Sequence, residues 1–206
     1  MSRFGPDPLA FFNSVYQQAA PWDIGKVQPD MASMISKHLP QSPILDIGCG
    51  SGDLTIYLAQ LGYQVLGIDF VETAIQLARH RAKALPEENA RLLNFQVADA
   101  LKPSYLQQKF AAVMDSGFYH LFSPEQCDEL IDEVASVLLA DGCYYLHEFA
   151  VEFPIPNVPR QITTQEIETK FSKAKGWQIE ELQNVSFLSS VAPPVAAICA
   201  CIRKLA

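Results

Sequence analysis

The segment from residue 42 to residue 69, SPILDIGCGSGDLTIYLAQLGYQVLGID, constrains the fold more than any other part of the chain. An apolar run from Ile44 to Ile47 leads directly into glycines at positions 48, 50 and 52. Apolar residues then recur at helical spacing, and a second apolar run, Val65 to Ile68, ends on Asp69. The pattern predicts a strand, a glycine turn, a helix and a second buried strand, which together form one βαβ unit of a parallel sheet.

The glycine turn is suited to a ligand that approaches the backbone closely. Glycine permits the sharp turn, and the helix behind it presents free N–H groups. Asp69, at the end of the neighbouring strand, can accept both hydroxyls of a ribose. A dinucleotide fingerprint would have a third glycine at position 53, where this chain has Asp53. Asp53 and Asp46 would repel a pyrophosphate, so a nucleoside that carries positive charge fits better than a dinucleotide.

Five segments resemble motifs of a known family. LDIGCGSGD followed by GID is similar to motifs I and II of class I S-adenosylmethionine-dependent methyltransferases, and VADA at 97–100 and MDSGFYH at 114–120 lie where later motifs of that family fall. PWDIGKVQP, at 21–29, resembles the entry segment of small-molecule methyltransferases related to the thiopurine and halide/thiol enzymes. The resemblance implies S-adenosylmethionine as cofactor, S-adenosylhomocysteine as product, and direct displacement of the methyl group by a small-molecule acceptor.

The expected fold is α/β. The resemblance implies a Rossmann-like doubly wound sheet of seven mixed strands, the last antiparallel, with helices on both faces. Periodicity and breakers predict helices over 6–19, 28–39, 71–84, 124–139 and 163–172, and strands over 92–97, 110–115, 143–149, 177–188 and 195–205. The length favours a single domain, 1–206. Within it we expect a helical cap over the site (1–40) and a substrate lid (150–162), for which a plain surface connection is the alternative.

The cofactor-binding residues follow from the resemblance, position by position. They are Trp22, Asp46, Gly48, Cys49, Gly50, Gly52, Asp69, Phe70, Asp99, Ala100, Asp115 and Ser116. Two of them have a structural alternative. Trp22 either seals the hydrophobic edge of the domain or lines the methionine end of the site, where an aromatic face attracts a sulfonium. Asp99 either caps a helix or accepts a hydrogen bond from the adenine amino group.

Methyl transfer from a sulfonium requires mainly the alignment of acceptor, methyl and sulfur. His120 is the candidate base, because its ordinary pKa lies near neutrality, and a purely structural histidine is the alternative. Tyr119 is the second catalytic candidate, and Tyr16 and Glu148 are further ones. Sulfur is the favoured accepting atom, since a thiol can react as its thiolate, but amines, phenols, halides and metalloids stay open. Arg160 either binds an anionic acceptor or is solvated.

Composition and charge restrict the classes of partner and the location that the sequence predicts. The net charge is −8, with no basic cluster, which argues against nucleic-acid substrates. No apolar run has the length of a membrane span or of a signal peptide. The five cysteines form no CxxC pair, which indicates reduced thiols and no metal site, and together these features predict a cytoplasmic location. A nicotinamide (NAD)-dependent oxidoreductase and a non-catalytic S-adenosylmethionine-binding module are the alternative functions, with aminopropyl transfer a remote variant. The oligomeric state stays open.

Overall fold

One seven-stranded mixed sheet organises the computed structural model, which describes residue 4 and residues 6–18, 20–153 and 158–206. Its strand order is β3-β2-β1-β4-β5-β7-β6, and β7 runs antiparallel to both neighbours while the other pairs are parallel. This confirms the predicted fold class. The strands are β1 (Ile44–Ile47), β2 (Val65–Asp69), β3 (Leu93–Val97), β4 (Phe110–Ser116), β5 (Leu138–Phe149), β6 (Trp177–Phe187) and β7 (Val195–Lys204).

The predicted helices are present, and their ends differ from the prediction by three residues at most. A four-residue helix, α5, was not predicted, because so short a helix shows no apolar period. Among the described residues no helix is long and apolar enough to cross a membrane. The helices are α1 (Pro8–Tyr16), α2 (Pro29–Lys37), α3 (Asp53–Gln60), α4 (Glu72–Ala82), α5 (Glu87–Ala90), α6 (Pro124–Val137) and α7 (Thr164–Lys170).

The start of β5 differs from the prediction. Strand structure begins at Leu138, directly after α6, rather than at residue 143. Phe110 pairs with Leu138 and Ala112 with Cys143, so the register shifts across a bulge. A bulge interrupts the alternation of inward and outward side chains from which a strand is predicted. Gly142 lies within this irregular stretch, where a Cβ would come within 3.0 Å of the carbonyl oxygen of Ala111. It permits a close approach of two strands and does not end a helix.

Alternate residues of the central strands enter two different cores. Val113 of β4 packs in a cluster with Leu130 of α6, whereas the next residue, Met114, packs in a cluster with Met31 of α2. Helices therefore cover both faces of the sheet. The carboxyl ends of β1, β2 and β4 meet at one edge, as expected for parallel neighbours, and the loops that follow these strands form the candidate site there.

The two segments predicted to cover the site reach the same edge. Phe12 and Tyr16 of α1 pack against Val71 and Ala74 at the start of α4. The predicted lid lies only partly within the described residues, because 154–157 fall outside them. The cap, the lid and the single-domain boundary stay predictions.

Candidate functional site

The loop between β1 and α3 takes left-handed backbone conformations at its glycines. Gly48 has φ of +62° and Gly50 has φ of +54°. A Cβ on Gly48 would come within 2.5 Å of the Phe118 ring, and one on Gly50 within 2.7 Å of the Tyr16 hydroxyl oxygen. Both the conformation and the close approach therefore require glycine.

Asp69, at the end of β2, fixes this glycine loop. Its Oδ2 accepts the backbone N–H of Gly50 at 3.0 Å, and its Oδ1 accepts the N–H of Val71 at 2.9 Å. Burial raises the pKa of the carboxyl. Because each carboxylate oxygen has a further lone pair, the side chain can also accept ribose hydroxyls, as the sequence predicts.

Asp46 lies buried at the same edge of the sheet. Its Oδ2 accepts the Thr55 hydroxyl at 2.5 Å. Burial, together with the negative charges of Asp115 and Asp69, raises the pKa of Asp46 to about 7. A cationic ligand in the adjoining cavity would favour the ionised form of this carboxyl.

An ion-pair network around Arg81 of α4 connects the segment after α1 with the glycine loop. The guanidinium donates to Asp23 Oδ2 at 2.7 Å and to Asp53 Oδ1 at 2.9 Å, and the Ser51 hydroxyl donates to Asp23 at 2.8 Å. Burial favours a higher pKa for Asp23, but the hydrogen bonds from Arg81 and Ser51 outweigh it and lower this pKa. Asp53 thus has an ion-pair role that the sequence pattern did not predict.

Trp22 lies on the wall of the cavity. Its Nε1 donates to the Tyr16 hydroxyl at 3.3 Å, and the two rings meet edge to face with centroids 5.9 Å apart. The indole is 37% exposed, more than a residue that only seals a core. The placement agrees with the methionine-end alternative, which stays a prediction.

A cavity of about 530 Å³ opens at the carboxyl ends of the strands, a size typical of small-molecule sites. Among its lining residues are nine of the predicted site residues: Trp22, Asp46, Gly48, Cys49, Gly50, Asp69, Phe70, Ser116 and His120. The rest of the wall is mainly aromatic and aliphatic, and includes Phe11, Phe12, Val15, Phe118, Leu121, Phe149, Phe153, Phe187, Val191 and Val195.

The charge at the cavity is negative. Asp23, Asp46, Asp53 and Asp69 line it, and Lys26 is the one lysine or arginine among the described lining residues. Within the described ranges, no group of three or more His, Cys, Asp and Glu side chains is arranged to hold a metal ion.

Five predicted site residues lie outside the lining of this cavity: Gly52, Asp99, Ala100, Asp115 and Tyr119. Gly52 allows close packing, since a Cβ there would meet Phe95 at 2.8 Å. Ala100 is buried in the core. Asp99 is exposed, and its Oδ1 accepts the N–H of Leu101 at 2.9 Å, a local turn contact. It caps no helix, since the helical turn that follows, Pro103–Leu106, has Lys102 as its N-cap, and its contact with the adenine stays a prediction.

Tyr119 and Arg160 belong to a second network, behind the loop that follows β4. Arg160 makes two hydrogen bonds of 2.6 Å to the carboxylate of Glu166, and the Tyr119 hydroxyl donates to the same carboxylate at 3.0 Å. Arg160 Nε also donates to the Phe122 carbonyl at 2.7 Å. Both alternatives for Arg160 were therefore wrong: it is neither solvated nor free to bind an anion.

His120 borders the cavity with its ring almost fully buried. Its Nδ1 lies 2.8 Å from Glu148 Oε2 and 3.3 Å from the backbone nitrogen of Phe149. These contacts require opposite roles for Nδ1, and the shorter one favours a proton on Nδ1 that is donated to the carboxylate. Burial lowers the pKa of His120 to about 3, so the ring is neutral near pH 7. The described residues offer Nε2 no hydrogen bond, which leaves its lone pair available.

The hairpin between β6 and β7 contributes cavity residues that the sequence reasoning missed. Phe187 lines the cavity, and Leu188 next to it exchanges two hydrogen bonds with the Gln28 side chain, at 3.0 and 2.9 Å. The Ser190 N–H donates to the Pro21 carbonyl at 2.8 Å. Only the pairing of β7 between β5 and β6 brings this hairpin to the site, so no local signal could have identified it.

Comparison with known proteins gives consistent matches. Residues 44–142 match the model of a methyltransferase domain family. A 2-heptyl-1-hydroxyquinolin-4(1H)-one methyltransferase from Mycobacteroides abscessus is 27% identical over 163 residues, 79% of this chain and 70% of the relative. A probable thiol methyltransferase 2 from Arabidopsis thaliana is 31% identical over 109 residues, 52% of this chain and 46% of the relative. The human probable tRNA methyltransferase 9B also matches, but this chain covers only 29% of its length.

Solved structures share the fold over nearly the whole chain. One, from work on the conversion of a disulfide bond into a thioacetal group during echinomycin biosynthesis, has a TM-score of 0.81 at 27% identity and covers 96% of this chain and 93% of that one. The magnesium protoporphyrin IX methyltransferase of Synechocystis PCC 6803, solved with bound S-adenosylmethionine, has a TM-score of 0.65 at 21% identity and covers 97% and 86%.

These matches agree with the glycine loop and with the position of Asp69 at the end of β2. They confirm the predicted cofactor, S-adenosylmethionine, and decide against the NAD-dependent alternative. The chain belongs to the class I S-adenosylmethionine-dependent methyltransferases.

Proposed function

We propose that this enzyme methylates a small, uncharged, apolar acceptor, with sulfur as the accepting atom. The observation that carries the proposal is the lining of the cavity of about 530 Å³, which combines the glycine loop and acids with many aromatic and aliphatic side chains. In the proposal, the glycine loop and the buried acids Asp46 and Asp69 bind the cationic cofactor, and aromatic and aliphatic side chains such as Phe149 and Phe187 contact the acceptor. An apolar acceptor gains by leaving water for this apolar lining.

The cofactor is proposed to lie along the glycine loop. Gly48 and Gly50 let it approach the backbone, Asp69 accepts its ribose hydroxyls, and the buried carboxylate of Asp46 attracts its positive charge. Trp22 then lies beside the sulfonium, where an aromatic face contributes about 0.5–2 kcal/mol. In this arrangement residues 1–40 close one side of a single domain.

The charges at the cavity disfavour an anionic acceptor. A carboxylate beside one of the lining acids is repelled by about 1–4 kcal/mol at close range. Arg81 is paired with Asp23 and Asp53, so Asp46 and Asp69 are the lining acids that act on the acceptor, and Lys26 is the one lysine or arginine among the described lining residues. A nucleic-acid acceptor is disfavoured by the same reasoning, since the net charge of the chain is −8.

The proposed reaction is one displacement. The acceptor sulfur forms a bond to the methyl carbon while the bond from that carbon to the sulfonium sulfur breaks, which yields a thioether and S-adenosylhomocysteine. When the acceptor enters protonated, its proton passes to Nε2 of His120, whose Nδ1–H is held by Glu148. The aromatic walls, among them Phe149 stacked on His120 at 4.5 Å, exclude water from this step.

The comparisons support sulfur and an apolar acceptor. The Arabidopsis relative is named a probable thiol methyltransferase, and the echinomycin structure concerns the conversion of a disulfide bond. The Mycobacteroides relative is named for 2-heptyl-1-hydroxyquinolin-4(1H)-one, a hydroxyquinolone with an alkyl chain. Because a neutral base faces the cavity, the hydroxyl of an apolar aromatic compound is the second candidate acceptor.

The experiment compares matched acceptors. Thiophenol and 4-mercaptobenzoate present the same thiol and differ by one carboxylate, and an aryl alcohol such as 2-naphthol tests the second candidate. We expect S-adenosylhomocysteine release and a methylated product with thiophenol, and at least tenfold lower kcat/KM with the carboxylate analogue. Equal rates for the two thiols would contradict the charge argument. Calorimetric binding of S-adenosylmethionine without turnover of any acceptor would favour the non-catalytic module.

A further inference from the structure

Asp115 is fully buried at the end of β4, where it shapes the loop that carries His120. Its Oδ1 accepts the backbone N–H groups of Phe118 at 2.9 Å and Tyr119 at 3.2 Å, and its Oδ2 accepts the Tyr144 hydroxyl at 2.7 Å. Asp115 does not line the cavity, so these contacts indicate a role through its neighbours, while the cofactor contact expected from the sequence stays a prediction.

Glu148 of β5 connects Asp115 with His120. Its Oε2 lies 2.8 Å from His120 Nδ1 and accepts the His120 backbone N–H at 3.1 Å. Its Oε1 has no donor among the described residues, while the Asp115 carboxyl lies within hydrogen-bonding reach of Glu148. Two buried carboxyl groups in this position form a hydrogen bond only when one proton lies between them. The pair then carries a single negative charge.

We propose that Asp115 is a positioning residue for the base: it holds the proton shared with Glu148, so that Glu148 stays an anionic acceptor for His120 Nδ1–H. The Nε2 lone pair of His120 is then directed to the acceptor. An anionic acceptor fixes the ring more strongly than a neutral carboxyl would. This inference rests on the proposed function, in which His120 removes a proton from the acceptor.

The surrounding charges agree with a proton on Asp115. Burial raises the pKa of Glu148 to about 7, while burial together with the charge of Glu148 raises the pKa of Asp115 well above its usual range. Glu148 therefore ionises first as pH rises. The other titratable or charged groups that face the three residues are Asp46 of β1, Tyr119 of the loop, Tyr144 and His147 of β5, Cys199 of β7, and Arg160 before α7.

The test measures kcat against pH for two acceptors, an aryl alcohol, which needs a base to remove its proton, and an aryl thiol, whose more acidic S–H group needs much less help from a base. For the alcohol we expect wild-type kcat to rise with pH through about 7, the pKa of Glu148. Asp115→Ala removes the donor to Glu148. The pH at which kcat rises should increase by about one to two units, because loss of one charge-assisted hydrogen bond to Glu148 raises the pKa of that carboxyl by this amount. Asp115→Asn keeps a donor and should keep the rise near its wild-type position.

The thiol separates positioning from a structural role. In Asp115→Ala we expect kcat for the alcohol to fall about 10- to 100-fold, within the contribution of a general base, while the thiol rate and the Kd of S-adenosylmethionine change less than about threefold. Asp132→Ala, an exposed acid on α6, is the matched control. If Asp115→Ala does not fold, Glu148→Gln serves instead and should abolish the rise with cofactor binding retained.

Two results would overturn the inference. One is a rise of kcat with pH that stays at its wild-type position in Asp115→Ala. If Glu148→Gln is used in its place, the corresponding result is a rise that persists unchanged. The other is an equal loss of rate for the alcohol and the thiol, which would assign Asp115 a structural role alone. If wild type methylates neither acceptor, the proposed function itself fails and this inference falls with it.

Discussion

The substitution Asp69→Asn tests two roles of Asp69, its observed contacts with the glycine loop and its proposed contact with the ribose. The carboxylate accepts backbone N–H groups from Gly50 and Val71 and is available to ribose hydroxyls. Asparagine keeps one oxygen and turns an amide NH₂ toward the other N–H, so one bond to a charged acceptor is lost. Such a bond contributes about 1.5–3 kcal/mol. We expect the free energy of unfolding to fall by this amount.

Cofactor affinity should fall by a similar free energy, because the ribose loses an ionised acceptor. A change of about 1.5–3 kcal/mol corresponds to a Kd about 10- to 150-fold higher. Calorimetric titration with S-adenosylmethionine and S-adenosylhomocysteine at about pH 8, where the raised pKa of Asp69 has least effect, gives the Kd, and urea unfolding gives the stability. Glu72→Gln, an exposed acid in the first turn of α4, is the control.

A Kd within twofold of wild type would refute the assignment of Asp69 to the ribose. If stability falls in that case, the carboxylate serves the loop alone. If neither the Kd nor the free energy of unfolding changes, the two backbone hydrogen bonds of Asp69 contribute nothing measurable to the loop.

Three further predictions use other parts of the site. Arg81→Met should raise the KM for S-adenosylmethionine about 3- to 10-fold, since it leaves Asp23 unpaired beside the glycine loop, and the same loss should appear when wild type is assayed in 1 M salt. Gly50→Ala should abolish cofactor binding measured by calorimetry, because φ of +54° and a contact of 2.7 Å exclude a Cβ. The unliganded protein should have a lower melting temperature at about pH 8 than at about pH 6.5. Asp46 and Glu148 have pKa values of about 7 in the fold and about 4 when unfolded, so their stabilisation is complete below the unfolded pKa and is lost as pH rises through 7. A melting temperature that is flat over this range, or unaffected by Asp46→Asn, would contradict the last prediction.

Local patterns were sufficient to locate most helices and strands and the glycine turn, whereas the seven-stranded mixed sheet was predicted from the resemblance to the methyltransferase family. The glycine turn and Asp69 lie within 22 residues of one another and form one βαβ unit, so their roles can be predicted from a single stretch. The start of β5 was misplaced because a bulge near Gly142 interrupts the alternation between the two faces.

Long-range contacts account for what the sequence did not predict. Asp53 pairs with Arg81, 28 residues away, and Leu188 pairs with a side chain 160 residues away. Neither distance leaves a periodic signal. Asp115 was assigned to the cofactor from its place after β4, but the acid beside it, Glu148, comes from the neighbouring strand and shares its environment. Only the pairing of β4 with β5 brings these two acids together.

The contacts of Gln28 with Leu188 have a kinetic consequence. They join the segment 21–28, which is proposed to border the cofactor, to the hairpin between β6 and β7, which is proposed to border the acceptor, and the Ser190 contact with Pro21 joins them a second time. The segment cannot swing outward to exchange cofactor without moving the acceptor wall. Binding should therefore be ordered, with S-adenosylmethionine first and S-adenosylhomocysteine released last. S-adenosylhomocysteine should then inhibit competitively against the cofactor and noncompetitively against the acceptor. Competitive inhibition against both would show that the two walls move independently.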